Sequence, residues 1–194
     1  MLETKNAILI LASSSPRRQE LLREAGILFE VDPARVNEEL RAGEPPLIYA
    51  CRLAAEKAQA VSRRHPQRWV LGADTIVVID GEILGKPRNA EEAERMLRLL
   101  SGRAHEVTTA VSLAAPGQNA ETRSRTTQVW FRTLSDDEIR NYVAGGEPMD
   151  KAGAYAIQGG AARWADRIEG EYTNVVGLPL TLVTEMLRKN GLLK

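Results

Sequence analysis

Ala7-Ile8-Leu9-Ile10-Leu11-Ala12-Ser13-Ser14-Ser15-Pro16-Arg17-Arg18 decides the fold class. Residues 7–12 form a continuous apolar run, the mark of a buried strand. Ser15 is a good N-cap, and Pro16 suits a first helical position because its missing N–H would have no partner there. A helix is predicted over 16–25, with Gly26 as its stop. Strand, serine turn and helix, in that order, open an α/β chain.

Working outward, the pattern keeps alternating. Residues 29–36 predict a second strand, weakened by Pro33. Pro45-Pro46 open a long helix over 47–64, and His65-Pro66 close it. Residues 69–79 are strongly β, Asp80-Gly81 signals a hairpin turn, and 82–84 return. Asn89 caps a helix to residue 100, with Glu92 at the third position and Gly102 beyond its end. Residues 106–114 and 121–132 predict two antiparallel strands joined through Pro116-Gly117 and Asn119. The second is a candidate sheet edge for pairing with another subunit. Ser135 and Glu138 start a helix that Gly145-Gly146 end. Residues 153–158 and 162–168 predict two short strands, and 178–189 a final helix. The chain shows no repeat and no linker, so the expectation is one α/β domain over 1–194 with a mixed sheet.

The 194 residues carry 26 Lys+Arg and 26 Asp+Glu. Zero net charge gives no reason to expect a general nucleic-acid-binding surface, which would be basic, and leaves room for a local basic pocket. A single cysteine, Cys51, and two histidines exclude an internal disulfide and a Cys/His zinc framework. They fit a reducing compartment, and the expected location is the cytoplasm. No stretch reaches the roughly 20 apolar residues of a membrane helix, so no membrane partner is expected.

Chemistry concentrates in a few segments. The Ser13–Ser15 turn and Arg17-Arg18 lie where a helix start offers free N–H groups and partial positive charge. Hydroxyls and guanidiniums there make an anion cradle, and the two arginines oppose the helix dipole unless an anion is present. The plainer alternative is a capped helix with two solvated arginines. Asp74, in Gly72-Ala73-Asp74-Thr75, is a carboxylate inside a strand and needs a partner there. Otherwise it satisfies a turn at the strand's end. Lys57 and Lys86 can neutralise phosphate, or be ordinary surface lysines. Asn37-Glu38-Glu39 can supply a metal carboxylate, from either glutamate. In residues 150–159 small side chains allow close approach to a ligand. The Gln158 amide complements the O4 acceptor and N3–H donor of uracil or thymine. His105 reads as a structural turn residue, and Cys51 as a small core residue.

Taken in order, these segments resemble the Maf family of nucleotide pyrophosphatases. The matching runs are residues 11–18, Glu56-Lys57-Ala58, Gly72-Ala73-Asp74-Thr75, Gly85-Lys86-Pro87, Leu100-Ser101-Gly102-Arg103 with His105, residues 150–155, and Val176-Gly177-Leu178-Pro179. Each is weak alone; the ordered set covers nearly the whole chain. The resemblance implies a two-lobed α/β fold similar to inosine triphosphate pyrophosphatases, with an active-site cleft between lobes, and a homodimer. It implies metal-dependent hydrolysis of a nucleoside triphosphate to monophosphate and pyrophosphate, a house-cleaning activity with a link to cell-division arrest.

The subfamily resembled is the dTTP/UTP type, in which Arg17, Thr75 and Gln158 fall at positions tied to base choice. Ser13, Ser15, Arg17, Arg18, Lys57 and Lys86 would bind the triphosphate. Asp74 and Glu38 would hold Mg²⁺ or Mn²⁺, and Asp74 would activate the attacking water. Three alternatives stay open from sequence. They are the same chemistry on 7-methyl-GTP or another non-standard nucleotide, a non-catalytic nucleotide sensor in division control, and a phosphosugar-binding domain.

Overall fold

The computed structural model describes residues 9–193. Residues 7 and 8 of the expected first strand lie outside the described residues. The elements run β1 (Leu9–Leu11), α1 (Pro16–Glu24), β2 (Phe29–Val31), α2 (Pro46–Ser62), β3 (Val70–Ile79), β4 (Glu82–Leu84), α3 (Ala90–Leu100), β5 (Ala104–Ala114), β6 (Glu121–Phe131), α4 (Asp136–Ala144), β7 (Ala165–Glu169), α5 (Tyr172–Val176) and α6 (Leu180–Lys189). The strands form one mixed sheet in the order β2-β1-β3-β5-β6-β7, with β4 paired to β3. β1 is parallel to β2 and β3, while β3–β4 and β6–β7 are antiparallel. Side-chain pairs Glu106–Gln128, Thr108–Thr126 and Ser112–Thr122 run in opposite senses, so β5 and β6 are antiparallel as the sequence predicts.

Three expectations are corrected, and a fourth is narrowed. β7 pairs with β6 over Gln128–Phe131, so that part of β6 is not a sheet edge open to another subunit. The strand predicted over 29–36 stops at Val31, just ahead of Pro33, which has no N–H for a ladder. Residues 153–158 form no strand, because Gly153 (φ 70°) and Ala154 (φ 59°) turn the chain through the left-handed region. Residues 160–164 are a 3₁₀ turn, and only from Ala165 does the next strand begin.

The described chain divides into two compact units. Unit 1 holds the described residues up to Asp74, Thr109–Arg125, and those from Gly177 onward; unit 2 holds Thr75–Thr108 and Thr126–Val176. Unit 1 has an aliphatic core in which Ile10, Ala12, Ala58, Val61, Val70 and Ala114 are buried together. Its α2 carries small Ala54 and Ala58 inward. Gly72 of β3 permits that close approach. A Cβ there would collide with the Ala54 carbonyl oxygen and lie 2.7 Å from the Ala58 nitrogen.

Unit 2 is built around aromatic rings. Phe131 packs edge-on against His105, Tyr155 and Trp164, and Trp164 packs against Tyr142. Helix α4 has a complete capping box, Ser135 with Glu138, as its sequence predicts.

Candidate active site

The parallel register of β1 and β3 starts the site. Leu11 stands opposite Leu71, so the serine turn leaving β1 runs beside Gly72-Ala73-Asp74 of β3. Arg18, one turn into α1, ties the two together. Its Nη1 donates to the Ala73 carbonyl oxygen (2.9 Å) and to Ser13 Oγ (3.2 Å). Its Nε donates to the Gly177 carbonyl oxygen at 2.8 Å, which gives the Val176-Gly177-Leu178-Pro179 segment a physical role. Burial lowers the Arg18 pKa, and the nearby Asp74 charge partly restores it. Arg18 therefore braces the turn, with much of its fork committed to protein oxygens.

Ser13 Oγ also accepts from the Ser15 N–H at 3.2 Å. Ser15 occupies the N-cap position of α1, but its side chain makes no capping bond, and the first turn has no acidic residue. The positive end of α1 is thus left without an anionic complement from its own first turn.

Close packing of α2 on Gly72 delivers Lys57 to Asp74. Lys57 Nζ donates to Asp74 Oδ1 at 2.7 Å and pairs with Glu38 Oε1, also at 2.7 Å. One ammonium holds both candidate metal carboxylates. Of the two glutamates, Glu38 reaches this cluster, while Glu39 Oε2 accepts from Asn37 Nδ2. Asp74 is buried, and burial raises its pKa; Lys57 and then Arg18 oppose the rise, while Glu38 adds to it. A carboxylate so raised accepts a proton from water more readily than an exposed one.

Sequence reasoning missed three residues here. Tyr49 Oη donates to the Glu38 carbonyl oxygen at 2.7 Å. Arg52 Nη2 donates to the Glu39 carbonyl oxygen (3.1 Å), and its guanidinium grips Glu44 at 2.6 and 2.7 Å. The available signal was spacing: 49, 52, 56 and 57 share one side of a helix.

Arg17 stands beside Arg18 in the first turn of α1 and is half-buried, and the last three predicted residues lie in unit 2. Thr75 follows Asp74 directly and is half-buried, while Lys86 and Gln158 are exposed. The Gly85 carbonyl accepts from the Gly153 N–H at 3.1 Å, which ties the Lys86 loop to the segment leading to Gln158. That segment is pinned by side chains. His105 Nε2 and Tyr155 Oη lie 2.8 Å apart, Tyr142 Oη accepts from the Ala156 N–H at 3.0 Å, and the Glu147 carboxylate accepts from the Gly160 N–H. Burial depresses the His105 pKa to about 4, and His105 acts structurally, as expected from its sequence position. Cys51 is half-buried rather than fully in the core, and burial raises its thiol pKa.

Among the described residues, no three His, Cys, Asp or Glu side chains gather as a closed metal cage. The Asp74–Glu38 pair is a hard-oxygen donor set. It fits an ion such as Mg²⁺ or Mn²⁺ that keeps waters and shares substrate phosphate oxygens.

The family described as Maf-like protein matches residues 8–190, so the chain belongs to the Maf family. A protein of Koribacter versatilis named dTTP/UTP pyrophosphatase is 54% identical over 186 residues, covering 95% of each chain. One from Geobacter sp. (strain M21), with the same name, is 54% identical over 190 residues, covering 97% of this chain and 98% of its own. Among solved structures, the Ham1 protein of Staphylococcus aureus aligns with 94% of this chain and 98% of its own, at 14% identity and a TM-score of 0.48.

Proposed function

We propose that this protein is a nucleoside triphosphate pyrophosphatase that hydrolyses dTTP and UTP to the monophosphate and pyrophosphate. The observation that carries the chemistry is the buried Asp74 carboxylate, 2.7 Å from Lys57, beside a serine turn at a helix start with no acidic residue in its first turn. The substrate class is supported by relatives that carry the name over nearly full length.

In this reading the Ser13–Ser15 turn and Arg17 bind phosphate oxygens, with Lys57 and Lys86 adding positive charge. Arg18 contributes charge from beneath, while its Nε and Nη1 hold the turn. Asp74 orients a water toward the α-phosphorus and takes its proton, and pyrophosphate leaves. Asp74 and Glu38 would hold Mg²⁺ or Mn²⁺, which when bound stabilises charge on the phosphates. Gln158, with Thr75 and Arg17, selects uracil or thymine. In this reading the enzyme works in the cytoplasm as a homodimer, as a house-cleaning activity.

The test is pyrophosphate release from purified dTTP, UTP, CTP, GTP, 7-methyl-GTP, ITP and ATP, with Mg²⁺, Mn²⁺ and EDTA arms. We expect metal-dependent release, strongest with dTTP and UTP. Release strongest with 7-methyl-GTP or ITP would overturn the base assignment. No release from any of them would overturn the enzyme reading.

A further inference from the structure

The metal carboxylate assigned to Glu38 sits on an irregular segment, residues 32–45, that has no helix or strand to fix it. Something else must set its position. The first turns of α2 do so through adjacent side chains. Tyr49 Oη donates to the backbone carbonyl of Glu38 itself at 2.7 Å. Arg52 Nη2 donates to the next carbonyl, of Glu39, at 3.1 Å. The same guanidinium closes on both oxygens of Glu44 at the far end of the segment, at 2.6 and 2.7 Å.

This pair is largely withdrawn from water, with side-chain exposures of 12% for Arg52 and 7% for Glu44. The fork holds Glu44 well below the usual carboxylate range, at about 2. Arg52 also lies over the Tyr49 ring, 5.4 Å from its centroid, so the two clamps support each other. Glu56, one turn on, takes a third edge of the fork and also pairs with Arg41. Lys57 follows Glu56 and meets the Glu38 carboxylate. Helix α2 thus acts as a ruler, holding the backbone of Glu38 with one turn and its carboxylate with another.

We infer that Arg52, with Tyr49, is a positioning element that fixes the Glu38 carboxylate beside Asp74 and so sets the protein's affinity for the divalent cation. The inference rests on the proposed metal role of Glu38. A planar fork suits this role because the bidentate grip on Glu44 and the bonds to Glu39 and Glu56 use donors in one fixed plane, a geometry that lysine's point charge does not reproduce. Outer partners of metal ligands commonly control affinity by roughly 10–100-fold.

The test is Mn²⁺ binding by the full chain, followed by electron paramagnetic resonance, for wild type and the variants E38Q, R52M, R52K and Y49F. Thermal melts confirm folding, and pyrophosphate release is measured against Mn²⁺ concentration. We expect R52M to weaken Mn²⁺ binding about tenfold or more. R52K should recover only part of the loss, and Y49F should show a smaller loss in a chain that keeps its fold. Release at saturating Mn²⁺ should recover toward wild type in R52M and Y49F but not in E38Q. Wild-type Mn²⁺ affinity in folded R52M and Y49F, with E38Q impaired, would overturn the positioning role and leave the metal assignment standing. Wild-type affinity in E38Q, or no Mn²⁺ binding by wild type, would overturn the metal assignment and the inference with it.

Discussion

Lys57 and Gln158 are delivered by segments of opposite kind. Lys57 stands on a 17-residue helix whose small inner face rests on Gly72, so its distance to Asp74 is set by backbone packing. Gln158 stands on a stretch without helix or strand, held by hydrogen bonds to the side chains of His105, Tyr142 and Glu147, each contributed by another part of unit 2. In the first region the proposed chemistry depends on regular elements and tolerates little change of volume. In the second the proposed base recognition depends on individual polar contacts, each of which can be lost alone. The same fold thus carries a closely packed segment proposed as the reaction centre and a separately held segment proposed to read the base.

The largest effect should fall on the rigid side. For Asp74→Asn we expect pyrophosphate release from dTTP to drop by roughly 10²–10³-fold or more. Asparagine keeps the shape, and its Oδ1 still accepts from Lys57. Because burial raises the Asp74 pKa, its ionised form stabilises the fold least at neutral pH, so the variant should melt no lower than wild type. A folded variant with near wild-type turnover would break the assignment.

His105 probes the other region. Its pKa falls from 6.5 to about 4 on burial. The folded state stays neutral while the unfolded chain takes up a proton, so stability is full above pH 6.5 and declines as pH falls toward 4. The loss amounts to about 3 kcal/mol at the acid end. Melting temperature against pH should therefore be flatter over this range for His105→Gln. Identical slopes would remove His105 from the acid response.

Gly72→Ala sharpens the contrast. The added methyl meets backbone of α2, which cannot swing aside. We expect a destabilisation of about 1–3 kcal/mol, together with a fall in turnover as Lys57 shifts from Asp74. Gly159→Ala meets first the far end of the Glu147 side chain, which can rotate away. It should alter base preference more than stability. If both glycine variants lost stability equally in thermal melts, the distinction between the regions would fail.

The smallest expected effect is at Gln158, which is exposed. Gln158→Ala should narrow the ratio of kcat/KM between UTP and GTP by about tenfold, the value of one or two hydrogen bonds to the base. An unchanged ratio would take base reading away from this residue.

Much of the rigid region was legible in the sequence. The apolar run into Ser13-Ser14-Ser15-Pro16, and Asp74 within a run of apolar residues, are local signals with local causes. So are the Asn89 and Ser135 caps, which the structure reproduces with bonds to Glu92 and Glu138. Residues 153–158 read as a strand in the sequence because Ala154-Tyr155-Ala156-Ile157 is apolar and short. Their turned path depends on Gly153 against Val77 and on Tyr155 reaching His105, fifty positions away. The choice of Glu38 over Glu39 likewise depends on Tyr49 and Arg52, contacts that no local pattern specifies. Gly72 could be noticed in the sequence, but its reason lies in the Ala54 and Ala58 backbone of α2.

The central claim is that water, oriented by Asp74, attacks the α-phosphorus. Hydrolysis of dTTP in ¹⁸O-labelled water, with the products resolved by mass spectrometry, tests it most directly. The account predicts one labelled oxygen in the monophosphate and none in the pyrophosphate. Label in pyrophosphate, or products of diphosphate and inorganic phosphate, would contradict it.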